Sequence, residues 1–469
     1  MRMDAIPTER IIDDLRTALG NGAVLTGDDI PPRNMSDATR KPATAPTALV
    51  LPRTTADVSA ILAICHAAHH PVVTQGGMTG LAAGAHPGAG EIALSLEKMH
   101  GITDLDIASG TITAWAGTPL VKVQEAALDA GFICGIDLGA RGSCTIGGNI
   151  ATNAGGNQVL RYGMARRNLL GLEAVQADGT VLTSLNKMLK NNTGYDWTQL
   201  FVGSEGTLGV ITQVVLGLHP PTGTVETVLV AVPSVKAATD LLRSMERQFG
   251  AGLLVFEGMW REFIDIAVDR VGLRPPFDAA HEICVLLEVA PGGTEGAARL
   301  ADALGDLMSA GTVSDALVAQ SGEDAARFWA YRESVYEYSR FQTGFAGFDV
   351  SVPRPAMAAA VQDMRDAAAT HWPQALNVIF GHIADCNLHL IVGPVDGTHH
   401  MTDEQKHRIE VEIYPIIGRH GGSVSAEHGI GRTKRDYLSL SRSPAEIALM
   451  RTLKSALDPH GILNPGRIL

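Results

Sequence analysis

An α+β fold in two parts is what this sequence predicts, and three observations carry it. Three glycine-rich loops crowd the first half: GGMTGLAAGAHPGAG from Gly76, GIDLGARGSCTIGGNIATNAGG from Gly135 and GSEGTLG from Gly203. Short apolar runs of strand length lie between them. After HPPTGTVE (219–226) the pattern changes, and strand-like runs alternate with helix-length ones.

In chain order, the first part offers strands at ALVLP (48–52), PVVTQ (71–75), IALSL (92–96), TITAWAG (111–117), LEAVQA (172–177) and VITQVVLGLHP (210–220). TTADVSAILAICHAAHH (54–70) reads as a helix, with Thr54 or Thr55 and Asp57 as start signals. In the second part VETVLVAVP precedes the helical SVKAATDLLRSMERQF, and ICVLLEVAP precedes TEGAARLADALGDLM. ALNVIFGHI and NLHLIVGP then flank a polar interruption. The expected organisation is a first domain over 1–222 (core about 43–222), a second α+β domain over 223–420 with a sheet covered by helices, and a tail, 421–469, that returns to the first.

The 469 residues suit two or three domains. Hydrophobic content of 45% and charged content of 19% are those of an ordinary globular protein. A net charge of −13 disfavours nucleic acid and anionic membrane as partners, but leaves room for a small anionic substrate held by a few cations. The cysteines Cys65, Cys134, Cys144, Cys284 and Cys386 are scattered and form no CxxC, which points to a reducing compartment. MRMDAIPTERIIDDLRTALG reads as an amphipathic helix and not a signal peptide, and no apolar window reaches the ~18 residues of a membrane span. The expected location is the cytoplasm, including a peripheral position on the inner face of a membrane.

Two stretches carry chemistry. GGMTGLAAGA follows an apolar strand, and its small residues leave backbone N–H groups free to face a diphosphate. GAGEIA (88–93) leads into a strand, the wrong context for a nicotinamide fingerprint, and no GxxxxGK[ST] occurs. GHIADCNLHL (381–390) puts His382, Asp385, Cys386, Asn387 and His389 inside an otherwise apolar run. Seven residues apart, the two histidines would face opposite sides of one regular strand; the polar ADCN predicts a turn or bulge that brings them together. VSAEHG adds Glu427 and His428. Two histidines and a carboxylate suit a divalent metal with an open position. His69, His70, His399 and His400, in runs near loops or a helix end, read as ordinary packed or surface residues. A metal hydrolase using His382, His389 and Glu427 without redox chemistry stays open at this point.

QGGMTGLAAG (75–84), DLGARGSCTIGGNIATNAGG (137–156), RYG (161–163) and KNNTGYDWTQLFVGSEGTLGVIT (190–212) resemble the FAD-binding domain of the vanillyl-alcohol-oxidase/PCMH-type flavoproteins. GHIADCNLHL, VSAEHGIGR and LNPGRIL resemble the C-terminal half of its D-lactate and D-2-hydroxyglutarate dehydrogenase branch. The resemblance implies a PCMH-type FAD-binding domain followed by an α+β substrate (cap) domain with an antiparallel sheet. It implies that Gln75, Gly76, Gly77, Met78, Thr79, Gly80 and Leu81 wrap the FAD diphosphate. Ser143, Cys144, Thr145, Gly147, Gly148 and Asn149 would run under the flavin, and Thr152, Asn153, Ala154 and Gly155 would continue that wall. Glu205, Gly206, Gly209, Val210 and Ile211 would finish the adenine and ribose side, and Asn464 would reach the isoalloxazine. No histidine lies between Gln75 and Gly84, so non-covalent FAD is expected.

In the second half the resemblance implies that His382, His389 and Glu427 bind Zn²⁺ or a similar divalent ion and that His428 is the general base. The hydroxyl proton of a D-2-hydroxy acid would go to His428 and the Cα hydride to flavin N5, with a quinone, a flavoprotein or a cytochrome as final acceptor. Arg332 stands where the family places its carboxylate-binding arginine. WAYRESVYEYSRF (329–341) reads as a helix that puts Tyr336 one turn on, and Asn387 would support the site. The family has glycines at the positions of Ala384 and Cys386. Relatives acting on D-2-hydroxyglutarate carry a lysine where Gly347 stands and an asparagine where Ile391 stands. Both departures favour a short or apolar tail, as in D-lactate, with D-2-hydroxyglutarate or a glycolate-oxidase-type subunit of a complex as the alternatives. A homodimer is compatible with this reading.

Overall fold

The computed structural model describes residues 6–39, 41–340, 344–394 and 401–469; His399 and His400 lie outside them. The chain forms two compact units, Met1–Pro221 with Glu427–Leu469, and Thr222–Ala426.

The first unit holds two sheets. In the smaller, Ala48–Val50, Ile92–Ser95 and Val72–Gln75 lie side by side and parallel, with Val24–Leu25 antiparallel at the edge. Parallel strands need a crossover, and helix Thr55–Ala67 carries the chain from Ala48–Val50 to Val72–Gln75, one strand beyond its neighbour Ile92–Ser95. Its start is a capping box: the Thr54 side chain accepts the Asp57 N–H, and the Asp57 carboxylate accepts the Thr54 N–H. The larger sheet runs Ile102–Asp106, Thr111–Trp115, Val210–His219, Leu169–Val175, Val181–Ser184, all antiparallel. One apolar core spans both, from Val72 and Leu94 to Ile112, Ile146 and Val214. The chain's end joins it: Leu463 is buried there and bridges Val72.

The second unit is one antiparallel sheet of seven strands. Their spatial order is Asp315–Val318, Glu226–Val232, Ile283–Val289, Leu253–Trp260, Ala375–His382, Asn387–Pro394, Ala346–Ser351. The antiparallel sheet with helices is the α+β architecture expected. Register matters here, because residues opposite one another share a face. One row across the sheet reads Leu317, Leu229, Leu286, Glu257, His382. The next reads Cys284, Met259, Phe380, His389, Asp349. A third includes Val378, Ile391 and Gly347.

One expectation needs correction. The stretch 329–341 is not a single α-helix: Gly322–Glu333 is α-helical, and Ser334–Arg340 continues as a 3₁₀ turn. The tighter winding rotates later residues away from the α-helical face. Arg332 is 6% exposed, whereas Tyr336 is 59% exposed, so the two do not present together.

Candidate active site

In the first unit the glycine loops meet. Gly77 lies so close to the second loop that a Cβ there would sit 2.0 Å from the Ser143 carbonyl oxygen. A Cβ on Gly76 would be 2.6 Å from Thr145 Oγ1. That Thr145 hydroxyl is buried and has no hydrogen-bond partner among the described residues, and neither does that of Ser204. Close backbone with unpaired buried hydroxyls fits an elongated polar ligand such as a dinucleotide. Thr145 precedes the short helix Ile146–Ala151, which carries Gly147, Gly148 and Asn149; Thr152 closes it by donating to Gly148 O. Met78 and Asn153 adopt left-handed backbone, as tight loop turns require.

Several expected FAD residues also brace this unit. Gln75 is fully buried; its amide accepts from Asn34 Nδ2 (3.0 Å) and donates to Asn34 O and Ala85 O. Asn464 accepts from Thr74 N (2.8 Å) and donates to Glu205 O (2.7 Å), tying two loops to the C-terminal segment. The Glu205 carboxylate accepts the N–H groups of Ile430 (2.7 Å) and Gly431 (2.8 Å). It thereby fixes the loop that begins at Glu427 and His428. Burial pushes its carboxyl above the usual range, against the pull of those two amides and of Lys434. The Glu427 carboxylate lies beside Gly155, 3.4 Å from where a Cβ would stand. Gly209 packs on Phe201 and leads into Val210 and Ile211.

In the second unit GHIADCNLHL forms a hairpin. The first strand ends at His382, Ile383–Asp385 make a 3₁₀ turn, and Cys386, at φ 71°, is left-handed where the family has glycine. The second strand starts at Asn387. The turn brings the two rings to 5.7 Å, edge to face. His382 Nδ1 is 2.5 Å from Glu257 Oε1, and Arg332 Nε donates to Glu257 Oε2 at 2.7 Å. Arg332 Nη2 lies 3.5 Å from His382 Nε2, and its guanidinium caps the Phe380 ring at 5.0 Å. Burial would raise the Glu257 carboxyl, but His382 and Arg332 outweigh it and hold it down at about 2. Asp349 Oδ1 stands 3.9 Å from His389 Nδ1 and accepts from Asn387 Nδ2; Asp349 Oδ2 accepts from Ser425 Oγ and Ala426 N. Two histidines with carboxylates on their Nδ1 sides suit a divalent metal ion, because a carboxylate at Nδ1 fixes the tautomer in which Nε2 can act as a ligand.

Glu257 and Asp349 are the residues that sequence reasoning missed. Asp385, the acid inside GHIADCNLHL, lies in the 3₁₀ turn of the hairpin. A signal was present in both cases: LLVFEGMW and AGFDVSVP each hold one acid inside an apolar strand.

Two family models match the chain: "FAD binding domain" over residues 46–184, and "FAD linked oxidases, C-terminal domain" over 223–468. A protein of Xanthomonas citri pv. viticola called D-2-hydroxyglutarate dehydrogenase is 38% identical over 436 residues, 92% of this chain and 91% of that relative. The mitochondrial D-2-hydroxyglutarate dehydrogenase of Bos taurus is 39% identical over 90% of this chain and 76% of its own length. That of Stutzerimonas stutzeri is 33% identical over 98% of both. Among solved structures, p-cresol methylhydroxylase superposes with a TM-score of 0.79 at 17% identity, over 98% of this chain and 96% of that one. The 4-ethylphenol oxidase of Gulosibacter chungangensis gives 0.77 at 17% identity, over 99% and 98%. At such identity the likeness concerns the fold.

Proposed function

The chain belongs to the FAD-linked oxidases, in the vanillyl-alcohol-oxidase/PCMH flavoproteins, and is an FAD-dependent hydroxyacid dehydrogenase; from that premise we propose that it oxidises a D-2-hydroxy acid to the 2-oxo acid with a divalent metal ion. The observation that carries the metal is the histidine pair on the hairpin, with Glu257 and Asp349 on its Nδ1 sides. His382 and His389 would hold the ion with Glu427, and Arg332 would pair with the substrate carboxylate. His428 would take the hydroxyl proton on an imidazole nitrogen. When bound, FAD supplies the two-electron acceptor and the metal ion the positive charge that favours the alkoxide form of the hydroxyl. Asn387, 3% exposed, would hold Asp349 toward His389. Gln75 to Leu81, Ser143 to Thr145, Gly147 to Asn149, Thr152 to Gly155, Glu205, Gly206, Gly209 to Ile211 and Asn464 would line the FAD site. Electrons then leave to a quinone, a flavoprotein or a cytochrome, and the cytoplasm is the expected location.

The rows of the sheet support a reading of the substrate's tail. Ile391 lies two residues beyond His389 on the same face, and Gly347 stands directly opposite Ile391. The two positions where a lysine and an asparagine would meet a distal carboxylate are therefore one cross-strand pair, and here it is apolar. A short or aliphatic tail, as in D-lactate, fits that pair. D-2-hydroxyglutarate is the second reading, favoured by the names of the relatives. Comparing kcat/KM for the D and L forms of lactate and 2-hydroxyglutarate decides. D-lactate should exceed D-2-hydroxyglutarate, and Gly347→Lys should narrow the gap; a clear preference for D-2-hydroxyglutarate in the native chain refutes the apolar-tail assignment.

A further inference from the structure

Glu257 holds a place that the oxidation chemistry alone does not explain. It stands mid-strand, 1% exposed, in a row whose other neighbours are Leu286, Leu229 and Leu317. Burying a carboxylate there is unfavourable unless both oxygens are engaged. They are: one meets His382 Nδ1 at 2.5 Å, the other Arg332 Nε at 2.7 Å. We infer that Glu257 is the positioning residue of the site, setting the tautomer of His382 and the direction of Arg332 with one side chain. The inference rests on the D-2-hydroxy acid reading above.

A carboxylate only accepts, so the Nδ1 of His382 carries the proton and Nε2 presents its lone pair. The other oxygen takes the Nε–H of Arg332, whose Nη2 lies 3.5 Å from His382 Nε2, and this sets the fork that a substrate carboxylate would meet. Phe380, under the guanidinium at 5.0 Å, keeps the plane in place. Metal retention and carboxylate capture are thus linked through Glu257. Asp349 does not duplicate this, since it is 3.9 Å from His389 Nδ1 and is itself held by Asn387, Ser425 and Ala426. A merely structural counter-ion for Arg332 would have no say in the tautomer.

E257Q separates the two roles. The amide oxygen can still accept from Arg332, but its NH₂ then faces His382 Nδ1 and drives the ring proton to Nε2. Zn²⁺ affinity, read by competition with a chromogenic chelator, should fall about 10–100-fold, with FAD content and visible spectrum unchanged. E257A should also raise KM for the hydroxy acid, and R332K should raise KM without lowering Zn²⁺ affinity. Should E257Q not fold, histidine-labelled wild type answers by NMR: His382, assigned with H382Q, should show a protonated Nδ1. Wild-type Zn²⁺ affinity in E257Q, or an Nε2–H tautomer in metal-free wild type, overturns the inference. A wild type that neither binds Zn²⁺ nor oxidises any D-2-hydroxy acid defeats the functional reading instead, and the tautomer still judges Glu257.

Discussion

Glu205, half-buried in the first unit, and Glu257, buried in the second, are moved in opposite directions by their environments. Glu205 meets two backbone amides, and burial leaves its carboxyl above the usual range. Glu257 is more fully enclosed, yet an imidazole and a guanidinium hold it at about 2. Backbone amides shape a loop and only partly offset desolvation; a guanidinium together with an imidazole reverses its effect and keeps an anion in place. The FAD-binding unit builds its candidate site from backbone and amides, suited to a large ligand touched along its length. The second unit builds its site from fixed charges, suited to a small anion and a cation.

The largest effect should come from removing the anion between charges. Glu257→Ala leaves Arg332 buried without its partner and should cost about 3–5 kcal/mol, measured by urea denaturation followed through far-UV circular dichroism. A loss below about 1 kcal/mol would mean that Arg332 finds water or another acceptor. Glu205→Gln keeps one acceptor and turns the other into a donor facing an N–H. A loss of about 1–3 kcal/mol is expected, with faster release of FAD on dilution. Unchanged stability would remove Glu205 as the brace of the Glu427–His428 loop.

Acid sharpens the contrast by sign. Glu257 lies below its ordinary 4.5, so its contribution is full above about pH 4.5 and disappears as pH falls toward about 2. Glu205 is raised, so its contribution is present below the ordinary carboxylate range and lost as pH rises through its folded value. Against their glutamine variants, the wild-type advantage at Glu257 should therefore shrink in acid and that at Glu205 should grow. Urea midpoints across the acid range test this, and parallel curves would contradict it. The smallest effect is expected at the hairpin turn. Cys386→Gly removes the left-handed strain of a side chain at φ 71° and should stabilise by about 0.5–1 kcal/mol, after the extra freedom of the unfolded chain is counted.

What could be read from sequence follows the same division. Strands such as Val72–Gln75 and Val210–His219 were legible because apolar runs end at glycine or proline, and the Thr54–Asp57 start was legible because capping is local. The meeting of His382 and His389 was legible because a polar insert in an apolar run demands a turn. Glu257 was not singled out, because its partners lie 125 and 75 residues away and only strand register brings them together. The face of Tyr336 was misread because nothing local marks where an α-helix tightens into a 3₁₀ turn.

The most direct test of the central claim, that charge partners in the second unit serve a metal-assisted oxidation, is anaerobic bleaching of the flavin. Rapid mixing of the FAD-loaded enzyme with D- and L-lactate should bleach it with the D form only. Verified metal-free enzyme that retains FAD should bleach far more slowly, with recovery on adding Zn²⁺. Equal bleaching without metal, or preference for the L form, would contradict the account.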